Sequence, residues 1–189
     1  FKKGSINMRI TGSWVAIPTP FREDGQIDFD KFKPIIDFQN HYGTDGLLVL
    51  GSAGESSMLS NEEKKQVIKF IVDYTRGKIP VLVGTTCSNS LDTVEMTKYA
   101  QIVGADGALM VIPPYIKPPQ DDIYHFVKTV AEQVSIPIAV YNNPARVGVN
   151  IKPETALKMT HIKNIIALKE AMPDVSQLIK IQRAMERKI

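Results

Sequence analysis

Among its 189 residues the sequence has one cysteine, Cys87, one tryptophan, Trp14, and three histidines. A single thiol cannot close an internal disulfide, which excludes a cysteine-stapled scaffold. His41, His125 and His161 fall within or at the ends of predicted helices, with no HExxH pattern and no clustered ligand spacing, so no metal site is expected. Long apolar runs are also missing. Gly46 to Leu50 and Ala108 to Ile112 are strand-sized, far short of the roughly 20 residues that a membrane-spanning helix requires. There is no large excess of one charge either. The formal net charge is +3, and basic residues are interspersed with acidic ones, as in Glu62-Glu63-Lys64-Lys65. Such a run reads as a solvated helix face and not as a phosphate-binding stripe, so neither nucleic acid nor membrane is an expected partner. No signal-peptide pattern opens the chain, and a reducing cytoplasm is the expected location. Residues 1–9 read as an N-terminal extension or an artificial remnant, and residues 10–189 as one domain.

With 43% hydrophobic residues the chain can build a sizeable core. Short β-rich runs alternate with longer segments of helical periodicity. The strand candidates are Trp14 to Ile17, Gly46 to Leu50, Val81 to Gly84, Gly107 to Ile112, Ile138 to Tyr141 and Ile165 to Leu168. The helix candidates are Asp28 to His41, Asn61 to Thr75, Ser90 to Val103, Asp121 to Val134, Pro153 to Met159 and Val175 to Met185. Ser60 before Asn61-Glu62-Glu63 has capping-box spacing, and Pro153 occupies a first-turn position.

An internal echo narrows the architecture. Gly43-Thr44-Asp45-Gly46-Leu47-Leu48-Val49-Leu50 recurs as Gly104-Ala105-Asp106-Gly107-Ala108-Leu109-Met110-Val111, and Ile79-Pro80-Val81-Leu82-Val83 as Ile136-Pro137-Ile138-Ala139-Val140. Each pair lies two βα units apart, and in a closed parallel barrel alternate strands share interior layers. The glycine after the helix supplies a C-cap, and Asp-Gly turns the chain into the next strand. A doubly wound open sheet would more naturally carry a GxGxxG or P-loop after its first strand; here that strand runs into Pro18-Thr19-Pro20-Phe21. The expected fold is therefore an α/β (β/α)8 TIM barrel, of which about six βα units are present. A complete barrel takes about 250 residues, so the expectation is a chain truncated before strands seven and eight.

In such barrels chemistry sits at the carboxyl ends of the strands. Lys169 lies in Ile165-Ile166-Ala167-Leu168-Lys169-Glu170-Ala171, which reads as a fully buried strand. A desolvated amine is partly neutral near neutral pH and can attack a carbonyl. The plainer reading is a strand-end lysine that reaches water or pairs with Glu170. Gly51-Ser52-Ala53-Gly54-Glu55-Ser56 offers backbone N–H groups to an anion, or is a simple tight turn. Pro113-Pro114-Tyr115-Ile116-Lys117-Pro118-Pro119 is a stiff loop that presents Tyr115. Tyr141 ends the fifth strand and Arg146 follows it; separately these read as a core phenol and a surface guanidinium. Taken together, an amine, a phenol, a hydroxyl, an anion-binding turn and an arginine suit a 2-oxo acid bound as an imine.

These residues resemble a known family. Trp14-Val15-Ala16-Ile17-Pro18-Thr19-Pro20-Phe21, Gly51-Ser52-Ala53-Gly54-Glu55-Ser56, Tyr141-Asn142-Asn143-Pro144-Ala145-Arg146-Val147-Gly148 and Leu168-Lys169-Glu170-Ala171 are similar to motifs of the dihydrodipicolinate synthase and N-acetylneuraminate lyase family. The resemblance runs from about Ile10 to the end. It implies a (β/α)8 barrel with a helical C-terminal region, a homo-oligomer (tetramer or dimer), and a class I lyase that needs no cofactor. It implies further that Lys169 forms the imine, Tyr141 is the acid/base phenol, and Ser52 is the relay hydroxyl. The Ser52 and Ala53 backbone N–H groups would hold the pyruvate carboxylate, and Arg146 the carboxylate of an aldehyde substrate.

Two departures bear on the substrate. The anion turn usually has two hydroxyl residues, and here Ala53 follows Ser52. The synthase branch has Tyr-Tyr after strand four, its second phenol completing a proton relay across a subunit interface; here the pair is Tyr115-Ile116, expected at a subunit contact. The leading reading is a 4-hydroxy-tetrahydrodipicolinate synthase acting on pyruvate and aspartate semialdehyde in lysine biosynthesis. The alternatives are a catabolic aldolase or dehydratase for a 2-oxo-3-deoxy sugar acid or hydroxy-oxo acid, and a non-catalytic barrel that binds a 2-oxo acid.

Overall fold

A computed structural model describes residues 8–186. Most of the extension expected at residues 1–9 lies outside the described residues. Six strands, β1 (Trp14–Ala16), β2 (Gly46–Val49), β3 (Val81–Gly84), β4 (Gly107–Val111), β5 (Ile138–Asn142) and β6 (Ile165–Glu170), form one sheet in sequence order. Every neighbouring pair is parallel. The helices are α1 (Phe29–His41), α2 (Asn61–Thr75), α3 (Ser90–Val103), α4 (Gln120–Ala131), α5 (Pro144–Val147), α6 (Pro153–Met159) and α7 (Val175–Glu186). Parallel strands in unbroken order with helical crossovers make an incomplete (β/α)8 barrel, the fold class that the periodicity predicted. The short helix α5 and a 3-10 turn at Ser56–Met58 were not expected. Both follow strand ends too closely for helical periodicity to register.

Local chemistry accounts for the helix starts. The Ser60 Oγ accepts from the Glu63 N–H at 3.2 Å, and a Glu63 carboxylate oxygen accepts from the Ser60 N–H at 2.8 Å, closing the expected capping box. Asn89 caps α3 through the Asp92 N–H, and Pro153 opens α6. Helix α4 stops at Ala131, short of the expected Val134, and Asn164 takes over there: its amide donates to the carbonyls of Ala131, Val134 and Ile136.

The internal echo has a mechanical meaning. Asp45 accepts the Ser13 N–H and Asp106 the Val81 N–H, so each repeated aspartate ties its own strand to the preceding one at the amino end of the sheet. Pro80 and Pro137 contribute carbonyls to the Leu47 and Ala108 N–H groups in the same register. Burial raises the Asp106 carboxyl above the ordinary carboxylate range, a cost that the Val81 N–H partly offsets.

Side chains alternate across each strand. One face packs against the helices in two clusters, the first around Phe32, Ile36, Ile68 and Val83 and the second around Met110, Ile123, Val127 and Val140. The other face is the barrel interior, where Leu48, Leu109, Ala139 and Tyr141 meet, with Ala16 and Ala167 against them. At the mouth of that interior, Gly84 lets the turn after β2 come close. A Cβ built on Gly84 would stand 2.0 Å from the Leu50 carbonyl oxygen, backbone that cannot rotate away. Gly84→Ala should therefore destabilise the protein by about 1–3 kcal/mol, read as a lower urea midpoint with an unchanged slope.

Candidate active site

The register between β5 and β6 brings two of the predicted residues together. Tyr141 pairs with Lys169 and Asn142 with Glu170. Tyr141 is two residues beyond Ala139, and Lys169 two beyond Ala167, so both point into the barrel interior. The Lys169 Nζ stands 4.0 Å over the centre of the Tyr141 ring, within the range at which a cation is held by an aromatic face. This pairing depends on an irregularity. Ile138 faces Ile165, but the next residue, Ala139, faces Ala167, so β6 supplies an extra residue there. Without that bulge Tyr141 would face Leu168 and the amine would fall opposite Asn142.

One expectation is corrected. The Ile165–Leu168 run predicted a fully buried strand, yet those residues are only partly buried and Lys169 is exposed. The reason is topological: β6 is an edge of the described sheet and pairs on one side only. Desolvation of the amine therefore does not come from the described residues. Of the two plainer alternatives, an amine that reaches water agrees with this exposure, whereas pairing with Glu170 is not found, because that carboxylate is engaged on the opposite face.

There Glu170 accepts from the Asn142 amide at 2.9 Å, the Gln177 amide at 2.9 Å and the Met172 N–H at 2.7 Å. Asn142 also donates to Asn150 at 2.8 Å and accepts the Ile151 N–H at 3.0 Å, and Asn150 donates to Gln177 at 2.7 Å. This network binds the ends of β5 and β6 to α7 and to the segment before α6. The motif reading quoted Asn142 and Glu170 but assigned them no work. A polar pair closing two apolar strands was the available signal; Asn150 and Gln177 gave none in sequence.

The remaining candidates lie on loops at the same end of the sheet. Ser52 and Ala53 are exposed in the turn after β2. That turn is firmly built: Leu50 and Glu55 adopt left-handed backbone, the Gly54 N–H donates to the Gly51 carbonyl, and the Thr19 hydroxyl donates to the Gly54 carbonyl. The Ser52 hydroxyl is not bonded to the Tyr141 phenol. Instead the Tyr141 Oη accepts from the Asn143 amide at 2.6 Å, a contact that sequence reasoning missed. Arg146 is exposed on α5, with its N–H on the Asn143 carbonyl. Tyr115 and Ile116 are 93% and 67% exposed, on a loop where Tyr115 and Lys117 have positive φ. The Lys117 side chain lies against Gly148, where an added Cβ would come within 2.8 Å of its Cε, so this loop packs beside the one that carries Arg146. Thr86 joins the ends of β3 and β4, its hydroxyl donating to the Val111 carbonyl and accepting the Val111 N–H. Burial pushes the Cys87 thiol up, which disfavours a thiolate nucleophile. Among the described residues no group of three or more His, Cys, Asp or Glu side chains is arranged to hold a metal ion, and no helix is long and apolar enough to cross a membrane.

Fold and site together define a class: an incomplete parallel α/β barrel with a lysine and a phenol facing each other inside the carboxyl end of its sheet. The chain belongs to the dihydrodipicolinate synthetase family, whose model matches residues 9–189. A curated relative, the 4-hydroxy-tetrahydrodipicolinate synthase of Clostridium novyi (strain NT), is 40% identical over 178 residues, covering 94% of this chain and 60% of that protein. The crystal structure of the chloride-inhibited dihydrodipicolinate synthase from Acinetobacter baumannii, complexed with pyruvate, superposes with a TM-score of 0.91 at 38% identity, over 96% of this chain and 62% of that one. YagE from E. coli K12, a prophage protein of the same family in complex with pyruvate, superposes at 0.90 with 33% identity, over 94% and 60%. The chain thus spans about 60% of the length of the curated relative.

The Glu170 network makes a prediction about stability. Glu170→Ala takes one acceptor each from the Asn142 and Gln177 amides and leaves the Met172 N–H without its side-chain acceptor, which should cost about 2–3 kcal/mol. Equilibrium denaturation of Glu170→Ala beside Glu170→Gln, which restores part of the acceptor capacity, reads that cost.

Proposed function

We propose that the full-length protein is a Schiff-base-forming lyase or synthase acting on pyruvate or a related 2-oxo acid, most specifically a 4-hydroxy-tetrahydrodipicolinate synthase. The observation that carries this reading is the Lys169 amine held over the Tyr141 ring at the carboxyl end of the sheet. Pyruvate-bound family structures of similar fold support the choice of 2-oxo acid, and the 40% identity to a synthase supports the second substrate.

In this reading the Lys169 nitrogen adds to the ketone carbon of pyruvate, and loss of water leaves a protonated imine. That imine draws electrons from the methyl carbon, which gives up a proton to become an enamine. The enamine carbon then attacks the aldehyde of aspartate semialdehyde, whose oxygen takes up a proton as the new carbon–carbon bond forms; the amino group of the same substrate then attacks the imine carbon, closing the ring and expelling the Lys169 amine. Tyr141, beside the nitrogen, is the donor and acceptor of these protons, with Ser52 as relay hydroxyl. The Ser52 and Ala53 N–H groups hold the pyruvate carboxylate. Arg146, on the adjacent turn, receives the carboxylate of the aldehyde substrate. The imine is itself the electron sink, so the chemistry calls for no metal and no organic cofactor. Exposed Tyr115 and Ile116 fit a contact between subunits of a homo-oligomer.

A second reading, a catabolic aldolase or dehydratase for a 2-oxo-3-deoxy sugar acid or hydroxy-oxo acid, is favoured by one observation: Ile116 stands where the synthase branch carries its second phenol. A barrel that only binds a 2-oxo acid is disfavoured by Lys169, since binding needs no amine at that place.

Borohydride reduction in the presence of pyruvate should add the reduced adduct to the peptide that contains Lys169, and Lys169→Ala should abolish it. Tyr141→Phe should lower turnover by about two orders of magnitude while still allowing the adduct to form. A folded full-length protein that traps no adduct overturns the imine reading. The two substrate readings separate at Arg146. Because lysine cannot reproduce a bidentate grip on a carboxylate, Arg146→Lys should raise the KM for aspartate semialdehyde about tenfold with the KM for pyruvate nearly unchanged. Steady-state kinetics with each substrate varied in turn decides it; equal effects on both substrates, or none, remove the semialdehyde assignment.

A further inference from the structure

Asn143 is 7% exposed, and its amide nitrogen stands 2.6 Å from the Tyr141 Oη. Its backbone is held from both sides. Pro144 keeps it out of the helical region, at φ −141° and ψ 80°, and its carbonyl accepts the N–H groups of Arg146 at 3.1 Å and Val147 at 3.0 Å. One residue thus places the phenol with its side chain and the turn that carries Arg146 with its backbone. We infer that Asn143 is a positioning residue for Tyr141, holding the phenolic oxygen as an acceptor so that its single O–H stays free for a partner in the barrel interior, on the ring that the Lys169 nitrogen overlies.

The argument is one of donor and acceptor inventory. A phenol has one hydrogen to donate and lone pairs to accept with. An N–H pointed at the oxygen fills an acceptor position and leaves the single O–H unspent. It also meets the charge that develops on the oxygen whenever the proton leaves, in a site where that contact is buried. An amide is not a base at neutral pH, so Asn143 takes no proton itself. The relay therefore ends at Tyr141 on this side and must continue through the interior. This goes beyond the proposed function but rests on it, since the phenol's work is defined by the imine at Lys169.

The test uses the full-length protein and two substitutions close in size. Asn143→Asp replaces the donating N–H with an acceptor and reverses the bond, so the phenol would donate to the carboxylate. Asn143→Leu removes the amide's donor and acceptor alike and leaves the phenol; should it fail to fold, the aspartate variant still decides. Three measurements are made on each. Ring-labelled tyrosine with a Tyr141→Phe reference isolates the phenol C–O stretch in the infrared. Exchange of pyruvate methyl protons with deuterium reports proton transfer. Borohydride trapping reports the imine. The expected result is a displaced C–O band and an exchange rate lowered by at least about tenfold in both variants, with trapped adduct within about twofold of the parent. A purely structural residue would lower adduct and exchange together. That outcome, an unmoved C–O band, or an Asn143→Asp protein that exchanges at the parent rate overturns the inference. If the parent traps no adduct, the imine reading fails, and the C–O band alone then decides whether Asn143 holds the phenol.

Discussion

The pairing register of β5 and β6 is the constraint on which the rest of the site depends. Side chains alternate faces with a period of two, so a slip of one residue exchanges every inward group for an outward one. With Tyr141 opposite Lys169, the strand ends present one chemically able pair to the barrel interior and one hydrogen-bonding pair, Asn142 and Glu170, to the helices. The extra residue of β6 near Ile166 sets this register. Bulges of this kind re-aim a side chain at small cost when the surrounding structure holds the strands on either side. Here the holding is done by the polar network that runs from Asn142 through Asn150 and Gln177 to Glu170.

Inside and outside therefore have different energetics. The outer polar groups donate and accept among themselves, and a satisfied network rigidifies a strand end. The inner groups are left with capacity to spare: among the described residues the amine meets only an aromatic face, and the Ser52 hydroxyl is exposed. Such asymmetry is what a site needs, since a fully engaged amine or phenol would have to break protein contacts before meeting a ligand. The strain lies in the loops, where Leu50, Glu55, Tyr115 and Lys117 adopt left-handed backbone, each at the carboxyl end of a strand. Strained non-glycine residues at such places belong with function more than with folding.

Two local features complete this picture. Ala53 presents a backbone N–H and no hydroxyl in the turn after β2, whose geometry is set by Gly51, Gly54 and Thr19. The Tyr141 phenol meets Asn143, a residue of its own strand end. Such a contact is local in sequence and so independent of how any partner subunit sits.

Much of this was legible in the chain. Apolar runs, capping residues and the glycine-aspartate echo located the six strands and all but the shortest helices, because these features act within a turn or two of backbone. The grouping of Lys169, Tyr141, Ser52 and Arg146 at one end also followed, since in a parallel α/β order every strand's carboxyl end faces the same way. What the sequence could not determine was anything set by pairing across strands. The Ile165–Leu168 run reads as buried whether or not a neighbour covers it, and only the strand pairing shows that β6 has one neighbour among the described strands, with Lys169 exposed there. The bulge that faces Lys169 to Tyr141, the grip of Asn143 on the phenol, and the bonds from Asn150 and Gln177 to Glu170 arise from distances between segments. Local propensity carries no information about those distances. The sequence by itself determined which groups stand at the mouth of the barrel; tertiary structure decided which of them touch, because contact depends on register and register is a property of two strands together.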